Sequence, residues 1–162
     1  MIKALEEYDA EVKKSGNTAE VTLIAERNGG YNYVYQYTAF ADDSGKDEWN
    51  FRIAERLAKT ILWVVGGYKI SVSGSKKIYE GLKKAYTADG ARVDFMSGVY
   101  EKPFEVVWLE KDEIPAEKNC SLRVGGYLKG CRIGFDAGGS DRKVSAVIDG
   151  KVVYSEEVVW HP

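Results

Sequence analysis

The apolar positions at the start of the chain predict one helix followed by a two-stranded hairpin. Residues 2–15 carry an apolar stripe at helical spacing, and Ser15-Gly16 is a suitable end for that helix. Residues 19–40 alternate between apolar and polar positions, as in strands with one buried face. Asn28-Gly29-Gly30 interrupts the alternation with a hairpin signal, so we expect two antiparallel strands on either side of it.

The returning strand of this hairpin places four tyrosines on one face, because successive side chains of a strand point to opposite sides. Such an aromatic face can bind sugars or bases. It can equally pack beneath a helix or against a second subunit. No polar residue with catalytic chemistry accompanies the rings, so packing or subunit contact is the favoured interpretation. The tyrosines are Tyr31, Tyr33, Tyr35 and Tyr37.

Helical and strand patterns alternate after the hairpin. The loop DDSGKDE leads into a helix with a broad apolar face, which Ser44 or Asp47 can cap and which Gly66-Gly67 ends. The segments YKISVSG, SKKIYEGLKKAYTADG and ARVDFM then predict strand, helix and strand, with Gly90 as the helix stop, and FEVVWLE adds a strand. Strand, helix and strand form a βαβ unit with a parallel pair, so we predict an α/β fold with a mixed sheet and flanking helices.

The pattern changes near residue 118, after the acidic stretch EKDEIPAEKN, which is typical of a connector. SLRVGGYLKG, CRIGFDAGG, DRKVSAVIDG and KVVYSEEVVW predict short strands separated by glycine turns, with Asp149-Gly150 as a two-residue hairpin. We therefore predict two domains: an α/β domain over residues 1–118 and an antiparallel β-meander over residues 119–162.

Composition and charge exclude several functional classes. The chain has 44% hydrophobic and 30% charged residues, which is ordinary for an ordered globular protein. Its formal net charge is −2, and its basic residues alternate with acidic ones without forming a basic stripe, so we do not expect it to bind nucleic acid. No apolar run has the length of a membrane span, and the two cysteines, Cys120 and Cys131, suit a reducing compartment. We expect a cytoplasmic protein without nucleic-acid or membrane partners. The single histidine, His161, leaves no basis for a Ser-His-Asp triad or a histidine-rich metal site.

The stretch GFDAGGSDRK, residues 134–143, carries the most specific chemistry of the chain. Gly138 and Gly139 allow the backbone to approach an anion and to direct N–H groups at it, and Ser140 adds a hydroxyl donor. Asp136 stands at the end of the predicted strand, where it can hold a magnesium ion directly or through water. A Gly-Gly-Ser turn taken alone is usually an ordinary hairpin, but here two further strands and an Asp-Gly turn follow it.

That arrangement resembles the opening of the ROK family of sugar kinases and repressors, within the actin-like ATPase superfamily. There the first strand carries Asp-x-Gly-Gly-Thr, the second is apolar, and an Asp-Gly or Asn-Gly turn leads to the third. Asp136, Gly138, Gly139 and Ser140 match this pattern over about residues 130 to 154, with serine in place of threonine. The resemblance implies that Gly138, Gly139, Ser140 and Lys143 contact the phosphates of Mg-ATP, and that Asp136 lies near the metal.

Other parts of that family's machinery have no counterpart here. The family's catalytic aspartate follows far behind the loop, and its His-x-Gly-Cys zinc cluster is missing. Asp141 places a carboxylate where the family prefers lysine or asparagine, and residues 20–40 indicate a hairpin and not the repressors' winged helix. We therefore expect this chain to be a fragment of a ROK-like sugar kinase that binds nucleotide but lacks the catalytic base. The complete protein would then be a carbohydrate kinase that acts on a sugar.

A second candidate anion site lies in ISVSGSKK, residues 70–77. A strand runs into Ser73, Gly74 and Ser75 at a helix start, where free N–H groups and the helix dipole attract anions, and Lys76 adds charge. The alternative is a capped turn with solvated lysines. The order of helix, strand and turn also resembles the adenosine side of the same superfamily, where the turn is usually Gly-Gly.

Two further interpretations complete the expectations. Five aspartates have no spacing that would place two of them on one helix face beside a cleft, so we assign them to the solvated surface: Asp42, Asp43, Asp47, Asp94 and Asp112. The alternative function is non-enzymatic, a structural or interaction domain that forms homo-oligomers through the tyrosine hairpin and unpaired strand edges.

Overall fold

A computed structural model describes residues 2–88, 90–119 and 125–160 of the chain. The chain divides into two compact units, residues 1–120 and residues 121–162, which we call unit 1 and unit 2. The predicted division near residue 118 lies next to this boundary. Each unit is described by itself.

Unit 1 is a mixed four-stranded sheet with helices, as the α/β prediction requires. Its strands follow the order β2-β1-β3-β4; β1 is antiparallel to β2 and β3, whereas β3 and β4 are parallel. The fold class is therefore confirmed at this level. In chain order the elements are α1 (Ile2–Ser15), β1 (Thr18–Arg27), β2 (Tyr31–Phe40), α2 (Asp47–Val64), β3 (Lys69–Ser73), α3 (Lys76–Ala88), α4 (Gly90–Tyr100) and β4 (Glu105–Trp108).

One face of this sheet forms the core with the helices. Alternate strand residues such as Leu23 and Val72 are fully buried there, which is what a period of two produces when one face is covered. Tyr33, Tyr35 and Tyr37 pack against the same core, in agreement with the packing interpretation of the tyrosine face. The helices contribute Tyr8, Val12, Ile53, Leu57, Ile61, Ile78 and Leu82. Among the described residues, no helix is long and apolar enough to cross a membrane.

The segment after β4, residues 109–119, runs from one edge of the sheet to the other. It begins beside β3, where the Leu109 N–H donates to the Val72 carbonyl at 3.0 Å. It ends beside β2, where the side chain of Asn32 donates to the Ala116 carbonyl at 3.1 Å. The connector that the sequence predicts is therefore anchored at both ends.

Two local predictions in unit 1 are wrong. ARVDFM is not a strand but part of α4, in which Val93 and Met96 pack against the core at helical spacing, and β4 supplies the parallel partner of β3. Neither Ser44 nor Asp47 caps α2, because Asp47 is already its first residue and accepts instead from the Asp43 N–H at 3.1 Å.

Unit 2 is a three-stranded antiparallel meander of β5 (Cys131–Ala137), β6 (Asp141–Ile148) and β7 (Lys151–Val159). The turn between β6 and β7 has positive φ at Asp149 and Gly150, 47° and 81°, as a two-residue hairpin of the I′ type requires. The predicted antiparallel meander is confirmed for these strands. The strand predicted over SLRVGGYLKG lies partly outside the described residues, and its described part, 125–130, is not a strand.

Candidate functional site

The glycine turn of unit 2 lies between the paired ends of β5 and β6, where Ala137 stands opposite Arg142. Its two glycines differ in what surrounds them. A Cβ at Gly138 would lie 2.8 Å from Asp141 Oδ1, whereas a Cβ at Gly139 would meet nothing within 4 Å. A side chain at Gly138 would therefore require Asp141 to shift, whereas Gly139 leaves the outer surface of the turn open.

Trp160 binds two carbonyl groups of this turn and leaves the N–H groups of the turn free. The main-chain N–H of Trp160 donates to the Ser140 carbonyl at 3.0 Å, and its indole N–H donates to the Gly138 carbonyl at 3.2 Å. Within the part of the chain that the structure describes, the main-chain N–H groups of Gly138, Gly139 and Ser140 donate to no other residue. Adjacent free donors in a turn are the usual elements of an anion-binding concavity.

Lys143 lies on the strand after the turn and is held by carboxylates. Its Nζ lies 3.3 Å from Asp141 Oδ2 and 3.6 Å from Glu157 Oε1. The hydrogen bond to Asp141, with the charges of Asp141 and Glu157, raises the pKa of Lys143 above its ordinary value. A phosphate at the turn would therefore gain this lysine only if Lys143 exchanged a carboxylate partner for it.

Asp136, the residue expected near magnesium, is exposed on β5 and stands directly opposite Lys143. The described residues hold no cluster of three or more histidine, cysteine or acidic side chains that could bind a metal. Magnesium in nucleotide sites is commonly held by one or two carboxylates together with phosphate oxygens and water. Asp136 therefore fits a magnesium ion that arrives with a nucleotide, and does not fit one held by protein ligands alone.

The second predicted anion site, at the start of α3, already binds a carboxylate of the chain. Asp42 Oδ2 accepts from the main-chain N–H groups of Lys76 at 3.0 Å and Lys77 at 3.3 Å, and Asp42 Oδ1 accepts from Ser75 Oγ at 2.5 Å. Ser75 Oγ in turn accepts from the Ile78 N–H at 3.1 Å, as an N-cap does. A free anion at this helix start would have to displace Asp42.

Sequence reasoning missed this role of Asp42 and assigned it to the solvated surface, which is wrong. The residue lies 33 positions before Ser75, so no local spacing connects them. The only signal in the sequence is an acidic residue two positions after the end of β2.

Gly74, in the same turn, is required for packing. Its φ is +95°, and a Cβ there would lie 1.9 Å from the Glu20 carbonyl oxygen of β1. The close approach of the turn to β1 therefore explains the glycine, without any ligand.

A cleft of about 420 Å³ opens beside this turn, at the carboxyl ends of β3 and β4. Ser73, Gly74 and Lys76 of the predicted site line it, together with Thr22 and Gln36 from the face of the sheet opposite the core. In open sheets with parallel strands, ligands commonly bind outside the carboxyl ends of those strands. The structure thus brings three of the four predicted residues to a cleft, while Ser75 is buried as the helix cap.

Comparison of the chain with models of protein families, with curated proteins and with solved structures gives no match. The geometry of the two turns and the cleft is therefore the basis for assigning a function.

Proposed function

We propose that the β5–β6 turn binds the phosphates of a magnesium nucleotide such as ATP, as the opening segment of an actin-like ATPase domain related to the ROK sugar kinases. The observation that carries the proposal is the set of three free N–H groups at Gly138, Gly139 and Ser140, in a turn where Trp160 already binds the carbonyls of Gly138 and Ser140. Such a turn can receive an anion without breaking a hydrogen bond of the protein.

The order of elements around the turn supports the proposal. A strand that ends in Asp136-Ala137, the glycine turn, an apolar strand, the Asp149-Gly150 turn and a third strand occur in the succession expected of that family. Asp136 supplies one carboxylate for the magnesium that accompanies the phosphates, and Lys143 adds a positive charge when it exchanges a carboxylate partner for a phosphate. The phosphate acceptor that the resemblance implies is a sugar.

The role assigned to these residues is binding and not phosphoryl transfer. Gly138, Gly139 and Ser140 hold phosphate oxygens, and Asp141 beside them opposes the negative charge, since like charges repel at this range. We therefore expect modest nucleotide affinity. The alternative, self-association through the tyrosine hairpin, has less support because Tyr33, Tyr35 and Tyr37 pack against the core of their own unit.

Isothermal titration with Mg-ATP and Mg-ADP tests the proposal. Gly139→Ala is the decisive variant, because its Cβ meets nothing within 4 Å in the folded protein and yet occupies the space that a phosphate needs. We expect it to weaken binding by about tenfold, which corresponds to roughly 1.4 kcal/mol. Ser140→Ala removes one hydroxyl donor and should weaken binding by a smaller factor.

Ser155→Ala is the matched control, an exposed serine on β7 of the same sheet, and should bind nucleotide like the unaltered protein. Circular dichroism verifies that each variant is folded. Absence of nucleotide binding by the folded chain, or equal binding by the Gly139 and Ser155 variants, would refute the proposal.

A further inference from the structure

The floor of the unit 1 cleft is a row of neutral hydrogen-bonding side chains. Thr22 of β1 stands opposite Gln36 of β2 on one side and opposite Ser73 of β3 on the other, so the three cross the sheet in one line. Strands lie about 4.8 Å apart, so this row is roughly 10 Å long. It lies on the face opposite the core, since the neighbouring residues Val21 and Val72 are the ones buried in the core.

Two of these residues are almost fully buried, yet they reach the cleft. Thr22 is 4% exposed and Ser73 is 3% exposed, and both line the cleft. Neither side chain forms a hydrogen bond with any residue that the structure describes. Hydroxyl groups that line a cleft and have no partner in the protein are free to donate to, and accept from, a molecule that enters it. The floor can therefore hydrogen-bond a ligand in the cleft.

The charges around the cleft disfavour an anionic ligand. Three carboxylates, of Glu20, Asp42 and Glu110, face two lysines, Lys76 and Lys111. Both lysines are already paired, Lys111 with Glu20 at 3.6 Å and Lys76 with Glu110 at 3.8 Å. A phosphate or carboxylate would meet a net negative wall, whereas a neutral hydroxyl can donate to the same carboxylates.

Of the two aromatic residues that line the cleft, Tyr37 and Trp108, the ring of Trp108 is already engaged. Lys76 Nζ lies 3.6 Å from the centroid of the Trp108 ring, and the Tyr79 ring meets it edge-on at 6.0 Å. The indole N–H of Trp108 donates to Glu110 Oε1 at 2.6 Å. A flat heteroaromatic base needs a free ring face for stacking, so we expect it to bind here more weakly than a compact hydroxylated molecule.

From this arrangement we propose that the cleft is a second binding site of the protein, specific for a neutral, hydroxyl-rich small molecule of the size of a mono- or disaccharide. The volume of about 420 Å³ lies in the lower part of the range for small-molecule pockets. Thr22, Ser73 and Gln36 bind ligand hydroxyls from below, and Glu20 and Glu110 accept from them at the rim. The site lies in unit 1 and does not depend on nucleotide binding in unit 2.

Nuclear magnetic resonance titration of the labelled chain tests this site, with glucose, maltose and myo-inositol as probes and with inorganic phosphate and adenosine as comparisons. We expect at least one polyol probe to shift the amide signals of Thr22, Gln36 and Ser73. Thr22→Val and Ser73→Ala each remove one hydroxyl with little change of shape, and each should weaken binding by about tenfold, the loss of one buried hydrogen bond.

Ser71→Ala is the matched control, because Ser71 lies on the same strand and is also buried, at 4% exposed, but does not line the cleft. This variant should bind the probe like the unaltered protein. The proposal is overturned if no polyol shifts these amides in the folded protein, which would leave water as the partner of the hydroxyls. It is also overturned if phosphate or adenosine binds there and the polyols do not, or if the Thr22 and Ser73 variants bind the polyol as well as the Ser71 control.

Discussion

The two units are both built on sheets, but only unit 1 buries a core. In unit 1, Leu23, Val72 and Leu82 are 0% exposed. Among residues 125–160 of unit 2 none is buried, and Ile133 and Phe135 remain 80% and 67% exposed. Unit 1 is therefore stabilised by apolar burial, whereas the described part of unit 2 is stabilised by the hydrogen bonds of its strands and turns.

This difference decides what kind of site each unit can hold. The cleft of unit 1 rests on strands whose other face is packed, so its hydroxyls are fixed in one row. The turn of unit 2 rests on an exposed sheet and presents free N–H groups of the backbone. A preformed polar floor favours selection by shape and hydrogen bonding, while an exposed turn favours a strongly charged group such as phosphate.

The largest expected effect comes from deleting an apolar side chain in each unit. Leu23→Ala should destabilise unit 1 by about 2–5 kcal/mol, because it leaves a cavity in a fully buried position. Ile133→Ala, at an 80% exposed position of unit 2, should change stability by no more than about 0.5 kcal/mol. Denaturant unfolding followed by circular dichroism measures both. A cost for Ile133→Ala as large as that for Leu23→Ala would show that the sheet of unit 2 is covered.

The glycines of the two predicted anion turns give the next test. Gly74→Ala should cost about 2–4 kcal/mol, because φ is +95° and the new Cβ would lie 1.9 Å from the Glu20 carbonyl oxygen. Gly139→Ala should be nearly neutral for stability, since its Cβ meets nothing within 4 Å. Thermal unfolding of both variants checks the contrast, and equal losses would contradict it.

Replacing two tyrosines of unit 1 by phenylalanine should change the stability of the unit in opposite directions. The Tyr8 hydroxyl donates to Asn50 Oδ1 at 2.6 Å, so Tyr8→Phe should cost about 1–2 kcal/mol. The Tyr37 hydroxyl is buried without a partner among the described residues, and burial raises the pKa of Tyr37 well above its ordinary value. Tyr37→Phe should therefore stabilise unit 1 by up to about 1 kcal/mol. Denaturant midpoints measure the pair, and a loss for Tyr37→Phe would mean that its hydroxyl has found a partner.

The smallest expected effect is a pH dependence at Glu26. Hydrogen bonds from Lys69 and Tyr68 lower the pKa of Glu26 below its ordinary value. Its contribution to stability is therefore complete above about pH 4.5, the ordinary value, and is lost as the pH falls through the lower folded pKa. Because the Glu26 side chain is 34% exposed, solvent screening limits the contribution to less than about 1 kcal/mol.

A titration of the Glu26 carboxyl by nuclear magnetic resonance checks this dependence. Lys69→Met is the control, and it should return the pKa of Glu26 toward its ordinary value. An ordinary pKa in the unaltered protein would contradict the expectation.

Most elements of the fold follow from local patterns, and the exceptions share a cause. ARVDFM is short and fits both periods, and only its packing on the core selects the helix. The cap of α3 involves Asp42, which reaches Ser75 from a distant part of the chain, so no window of sequence contains both residues. The phosphate-binding role of Gly138, Gly139 and Ser140 stays a prediction, as do the cytoplasmic location and the sugar partner.

The sequence by itself determined most of the helices and strands apart from α4, together with the two glycine hairpins and the three-stranded meander, because these depend on side-chain period and on the φ values that glycine permits. Only the tertiary structure decided which donors of the two turns are free. At Ser75 a distant carboxylate fills the helix start, whereas in the β5–β6 turn only the carbonyls of Gly138 and Ser140 are bonded and the N–H groups stay open. Hydrogen-bond partners far apart in the chain are set by the packing of strands, which local sequence does not specify.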